Sequence, residues 1–477
     1  MTALPREVTQ PQRVSSTDLP ALLAERRRSG ARVVDLIPGH NPVHGAEATA
    51  VVVLRVDRHY ETIWVEGSPL PALELSVASW PEPPNPGSEP MPAPVGFLPI
   101  GDGGPITRHR LSLWAAVDGD RIVDVHATSG RLTAGLSRLA PAHPYLQLPV
   151  LAEGLNEQTP TTTAMLTVLG IETLAGIDVP DSIQHARVFV AELERVQAHC
   201  GWLVSQATAC ADDALVNEAR HGRERLAWLF VAVCGRRRPT GIHLPGQILI
   251  DRGPAEAALS EVTPHLSRLI DTARQSLSGR RGWRRRLEGV GVISTDAVDT
   301  HALSGPVARG TGVDLDVRRR APYLTYDQLD FDVSVGAGGD VVDRCIVRLD
   351  EMAQSLRLAR QALAAWHGPV QVEDVRVVPP PMPAATTQMI HHFELWMEGH
   401  GLQPASGATA FVAVEAPEGE LGILLSSDGS SKPKRAHWRS PSSAHFRLLP
   451  ALLQGQRFAD AADVVSSVHV NAAEMDQ

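Results

Sequence analysis

Cysteine and histidine are the residue types best able to hold a metal or attack a substrate, and this 477-residue chain has four of the first and nineteen of the second. Their spacing supports neither use. Cys200, Cys210, Cys234 and Cys345 contain no CxxC pair, so a site of paired thiolates and a disulfide framework are both excluded, and the four read as thiols in buried helices. No HExxH occurs, and the adjacent His391 and His392 would point about 100° apart around a helix. No metal site is expected. What stands out instead is charge threaded through glycine: between Gly305 and Leu363 run Arg309, Asp316, Arg318, Asp330, Arg344, Arg348 and Glu351. Charges paired beside a buried helix support a fold, because removing one strands its partner. Loss of Arg309 or of Asp330 is therefore expected to damage folding.

The elements that position these charges follow from periodicity. Gly310, Gly312, Gly336, Gly338 and Gly339 mark tight backbone before position 341, where the pattern changes. From there Ile346, Leu349, Met352, Leu356, Ala359 and Leu363 recur at threes and fours, giving one long helix with an apolar face, Arg344, Arg348, Arg357 and Arg360 lying elsewhere. Helical spacing also marks 160–175, 182–208, 214–233 and 254–276, and an antiparallel bundle is the natural way to bury so many one-sided helices. A hairpin is expected over 109–126 about Asp118-Gly119-Asp120, and strands over 411–415 and 421–426 about Pro417-Glu418-Gly419. A helix is read at 389–397. At the N-terminus, 1–14 reads as polar and loose. A Ser15-Ser16-Thr17-Asp18 cap, a helix to Arg28 and strands at 33–37, 50–56, 60–65 and 72–77 then make a small domain. Residues 81–94, rich in Pro, Glu, Gly and Ser, suit a linker. The fold class is α+β: a small α+β domain (1–80), a linker (81–104), and a body (105–477) with a central antiparallel helix bundle and flanking β-hairpins.

Composition narrows the partners. A net charge of −10 and an isoelectric point near 6.0 argue against nucleic acid, and the longest apolar run, 226–234, is too short to cross a bilayer. No secretory signal opens the chain. Five arginines around Trp283, over 279–286, read first as a solvated loop or a contact with another polypeptide, and second as a site for RNA or acidic lipid.

The ordered series Gly305-Pro306-Val307, Arg309, Gly312-Val313, Asp316, Arg318, Pro322-Tyr323, Tyr326, Asp330-Phe331-Asp332-Val333, Gly339-Asp340, Asp343-Arg344, Val347-Arg348, Glu351-Met352 and Gln354-Ser355 resembles the D subunit of respiratory NADH-quinone oxidoreductase (complex I). A second series, Arg187, Ala191, Glu192, Leu193, Arg195, His199, Trp202 and Leu203, resembles a bundle helix of the same family, as does the text from Val414 to Gly422. Residues 70–82 resemble the end of the fold of the C subunit, so the small N-terminal domain reads as a reduced version of it. The same superfamily contains the large subunits of membrane-bound [NiFe]-hydrogenases.

The resemblance implies quinone as substrate, no cofactor bound by this chain, an iron–sulfur cluster on a neighbouring subunit, membrane subunits as further partners, and a peripheral place on the cytoplasmic face of the cell membrane. It implies NADH oxidation on another polypeptide. Hydrogenase chemistry is excluded, because the regions that carry CxxC pairs in those relatives read Leu155-Asn156-Glu157-Gln158-Thr159-Pro160 and Ser466-Ser467-Val468-His469-Val470-Asn471 here. Quinone reduction needs donors for the carbonyl oxygens. The family's His and Tyr donors fall at His109, one position off and with no following Gly, and at Glu157, which is either a proton carrier or a surface carboxylate. A family turn facing the cluster reads Gly130 to Arg138 here, with Thr133 and Ser137 in place of its His and Glu, and Gln477 replaces a final Arg. Arg187, Glu192, Arg195, His199, Arg309, Asp330, Arg344, Arg348 and Glu351 are implied to support the fold or the cavity. The expected function is a D-subunit-like wall of a quinone cavity. The alternative is a structural or assembly component of a hydrogenase-related membrane complex, with metal and quinone chemistry lost.

Overall fold

The computed structural model describes residues 12–15, 18–37, 50–56, 59–66, 96–100, 112–128, 135–278, 282–378, 386, 389, 390, 393 and 401–475. The expected strand at 72–77, most of the 81–104 linker and most of the 389–397 helix lie outside them; the described part of the linker, 96–100, contains a short strand, Leu98–Pro99, rather than free chain.

A four-stranded sheet opens the chain, in the order β1 (Gln12–Ser15), β4 (His59–Glu66), β3 (Ala50–Val56), β2 (Arg32–Ile37), with β1 parallel to β4 and the others antiparallel. Part of the N-terminal stretch read as loose is therefore strand. Helix α1 (Leu19–Arg28) covers one face, but Asp18 makes no side-chain cap; it bonds Ser15 Oγ instead, at 2.8 Å. Strand alternation divides β3 between two cores. Val52 and Leu54 pack under α1 with Leu19, Leu23 and Ile63, while Val51 and Val53 face Leu424 of the body.

The body is built on four helices: α2 (Pro160–Ala175), α3 (Asp181–Ala209), α4 (Asp213–Cys234) and α5 (Ala255–Ser278). The short α6 (Gly305–Arg309) then leads to α7 (Val341–Ala365). Asp340 starts α7 by accepting from Asp343 N at 2.9 Å. Helices α3 and α7 pack along their lengths and run antiparallel: Glu192 meets Ser355 and, two turns on, His199 meets Glu351. Three short elements, β5 (Leu98–Pro99), β6 (Ser112–Asp118) and β7 (Arg121–Thr128), form the expected hairpin with an edge strand. A two-stranded ribbon, β8 (His243–Leu244) and β9 (Gln247–Ile248), follows α4.

The C-terminal sheet orders β10 (Thr409–Glu415), β11 (Glu420–Ser427) and β12 (Pro433–Arg439), all antiparallel. It rests on α2, with Trp438 Nε1 donating to Thr167 Oγ1 at 3.1 Å. Helices α8 (Pro441–Leu453) and α9 (Ala461–Val468) close the chain, α9 lying against α3. The mixed α+β class and the antiparallel bundle are as expected. In the Arg-rich loop Trp283 is buried, and Arg284–Leu287 form one helical turn.

Candidate functional site: a buried charge network and the turn it supports

Between α3, α7 and the 309–326 segment lies a network of ionised groups with almost no exposure. Glu192 accepts from Tyr326 Oη (2.5 Å), Ser355 Oγ (2.6 Å), Arg318 Nη1 (3.2 Å) and Arg195 Nε (3.3 Å). Glu351 accepts from Arg309 Nη2 (2.6 Å) and Arg318 Nη2 (3.2 Å) and meets His199 Nε2 at 3.0 Å. Arg309 reaches Glu415 Oε1 at 2.7 Å and Asp316 at 3.5 Å. Burial alone would raise these carboxyls. The guanidiniums of Arg195 and Arg318 instead hold Glu192 below the usual range, and Arg309 with His199 holds Glu351 well below it. Glu415 is the exception, pushed up to about 7 by burial. Burial also depresses His199 to about 4, so its imidazole is neutral at physiological pH.

Oxygens of Asp316, Glu351 and Glu415 converge within 4.8 Å of one another. That geometry would suit a cation, and Arg309 already serves as one, pairing with all three. The cysteines are free, and no potential metal group among the described residues includes one. Burial holds Cys200 and Cys345 at about 12, far from the thiolate that an iron–sulfur cluster requires.

The remaining family-matched residues divide. Arg187 is buried and bidentate to Glu172, at 2.8 and 2.7 Å. Arg344 and Arg348, expected off the apolar face of their helix, are both fully buried. Among the described residues they form no ion pair: Arg344 binds Ser467 Oγ (3.0 Å) and Gly339 O (2.7 Å), and Arg348 binds Arg344 O (3.2 Å) and Val468 O (3.3 Å) over the Trp202 ring. Burial lowers both to about 10, which leaves them charged. Asp330 departs the other way. Its side chain is 76% exposed and pairs with Arg357, itself 45% exposed. An ion pair so open to water contributes little, so the expectation that Asp330 supports folding is withdrawn. Asp330→Ala should shift stability by no more than about 0.5 kcal/mol in urea unfolding.

The 155–160 turn and the chain's tail meet, although they are far apart in sequence. Asn156 Oδ1 accepts from Gln158 N (2.9 Å) and Thr159 N (3.1 Å), shaping the turn, and from Asn471 Nδ2 at 2.6 Å. Asn156 Nδ2 donates to Glu474 Oε1 at 2.7 Å and Glu418 Oε1 at 3.3 Å. Buried Glu194 of α3 catches the first turn of α2, accepting from Thr161 N (3.0 Å), Thr162 N (2.7 Å) and Thr162 Oγ1 (2.7 Å). Glu157 rides this pinned turn with its side chain exposed, and the Arg238 guanidinium donates to its carbonyl. His109 and Thr133 lie outside the described residues, so only one of the two expected donors is placed. Asn156, Glu418, Asn471 and Glu474 are site residues that sequence reasoning does not reach. The available signal is that this turn joins the two regions where hydrogenase relatives carry CxxC pairs.

A family model described as the respiratory-chain NADH dehydrogenase 49 kDa subunit matches residues 214–477. The chain belongs to this family. The NADH-quinone oxidoreductase D subunit numbered 1 in Herpetosiphon aurantiacus is 32% identical over 418 residues, covering 86% of this chain and 97% of that protein. The D subunit numbered 2 in Roseiflexus sp. strain RS-1 is 33% identical over 389 residues (80% and 92%), and the D subunit of Burkholderia vietnamiensis 33% over 413 (80% and 98%). As in the sequence resemblance, the matched stretch contains α7, Arg309 with its three carboxylates and the C-terminal sheet. No helix among the described residues of this D-subunit family member is long and apolar enough to cross a membrane.

Proposed function

We propose that the chain is the D component of a membrane-associated NADH-quinone oxidoreductase, and that its 155–160 turn forms part of the quinone cavity wall. Its partners are the other complex I subunits: an iron–sulfur protein beside the turn, and membrane proteins that hold this chain peripherally on the cytoplasmic face. The observation that carries this reading is the Asn156–Asn471 bond, which joins two thiol-free segments into one rigid polar turn presenting an exposed carboxylate. A quinone takes up two electrons and two protons. The iron–sulfur centre would supply electrons from the partner, while this chain's residues orient the ring and hold protons near its oxygens. Glu157 is the proton carrier in this reading and His109 a second donor. In this reading the chain itself binds no cofactor: Cys200 and Cys345 are buried and held protonated, and the half-buried Cys210 and Cys234 have thiols that burial also pushes up.

The test uses tagged protein drawn from native membranes in mild detergent, with partners identified by mass spectrometry and inhibitor-sensitive quinone reduction assayed on the same sample. Glu157→Gln and His109→Ala should each lower turnover about 10²-fold while partner recovery is unchanged, the usual weight of one general acid or base. Partners recovered with turnover indifferent to both substitutions would leave a scaffold with a silent cavity.

A further inference from the structure

Glu418 and Glu474 are both buried, at 0% and 1% exposure, and both accept from the single amide nitrogen of Asn156. Two carboxylates brought this close in a dry site cannot both be ionised. Their surroundings decide which one keeps a proton. Glu474 Oε2 also accepts from Ser442 Oγ at 2.7 Å and Ser440 Oγ at 3.0 Å; burial raises its carboxyl too, but these donors and Asn156 oppose that push. Glu418 has one long bond from Asn156, and its Oε2 is buried with no partner among the described residues. Arg348 is the cation facing Glu418, and Glu474 the anion.

We propose that the pair holds one proton, carried on Glu418, and that this proton positions the Glu157 turn for its ligand. The inference rests on the quinone reading only for the identity of that ligand. Asn156 shapes the turn through its oxygen and ties it to Glu418 and Glu474 through its nitrogen, so both carboxyls can hold it only while one is neutral. Loss of the proton puts two anions on one amide, drives Glu418 off Asn156 and frees the turn from the Pro417–Gly419 loop. Glu418 and Glu474 touch no reacting atom; they are positioning residues.

The direction with pH follows. Burial, and then the Glu474 charge, push Glu418 up to about 8. The tie from Asn156 to Glu418 is present below that value and lost above it, which leaves the turn held by Glu474 and Asn471 alone. In the intact membrane complex the KM for quinone should rise roughly tenfold from pH 7 to pH 9 with kcat little changed, the behaviour of a single ionisation that governs binding. Glu418→Gln, neutral at every pH, should abolish that rise, giving a KM that no longer changes between pH 7 and pH 9. Infrared spectroscopy supplies a readout independent of turnover. The parent should show a buried carboxylic-acid band that ionises near pH 8, absent in Glu418→Gln and shifted to lower pH by Glu474→Gln, which removes the like charge. An alkaline rise in KM that survives Glu418→Gln, or a parent with no such band, overturns the proposal. A complex that never reduces quinone, yet shows the band and loses it in Glu418→Gln, overturns the quinone reading and leaves the shared proton standing.

Discussion

Arg309→Met should cost the fold about 3–5 kcal/mol, enough to leave little folded protein. The side chain is fully buried and serves Glu351, Glu415, Asp316 and the Leu315 carbonyl at once. Methionine fills similar space and pairs with none of them. Three acidic groups would then face one another with Arg318 as their nearest compensation, and each must either protonate or drag in water. Arg309→Lys keeps the charge but not the planar fork that spans two carboxylates, so it should recover only part of the loss. Urea midpoints of the purified chain decide the matter. A midpoint for Arg309→Met equal to the parent's would mean that the network relaxes without harm.

Gly305→Ala should be nearly as damaging, for a steric reason. Gly305 has φ +62°, and a Cβ there would sit 2.5 Å from Gly419 Cα and 2.6 Å from the Glu418 carbonyl oxygen. Both are backbone atoms that cannot swing away. The left-handed conformation contributes about 1–2 kcal/mol and the overlap about 1–3 more. Gly30→Ala separates the two effects, because Gly30 has φ +85° and nothing within 4 Å of an added Cβ. It should show the conformational part alone. Gly305→Ala should in addition displace the Glu418 loop and weaken the Asn156 anchor. Equal melting shifts for the two variants would refute the steric argument.

The bundle is legible in the sequence because its helices carry long apolar stripes, and the 160–175 boundaries are those of α2. Local pattern fails where charge is buried. Arg344 and Arg348 lie off the strongest apolar row of α7, and a guanidinium off that row reads as facing water; here α9 and the tail cover it. Strand β12 escapes a reading by alternation because Lys434, Arg435 and His437 interrupt it, although Ala436 and Trp438 point inward. The Glu418–Asn156 bond spans 262 positions, beyond the reach of any window along the chain. Asp330 misleads because a motif residue can be matched and still stand in solvent.

Among the described residues the N-terminal sheet meets the body through Val51 and Val53 on Leu424, Tyr60 against Phe411, Tyr60 Oη to Glu420 at 2.8 Å, Arg55 to Glu420 at 3.7 Å, Arg439 Nε to Val34 O at 3.1 Å, and Arg32 to the Val298 and Leu303 carbonyls and to Asp299 at 3.3 Å. On one polypeptide each half stays near the other at an effective concentration on the order of millimolar. It also follows that the two halves are synthesised in equal number and enter any larger assembly together, with no separate recruitment step for the smaller one.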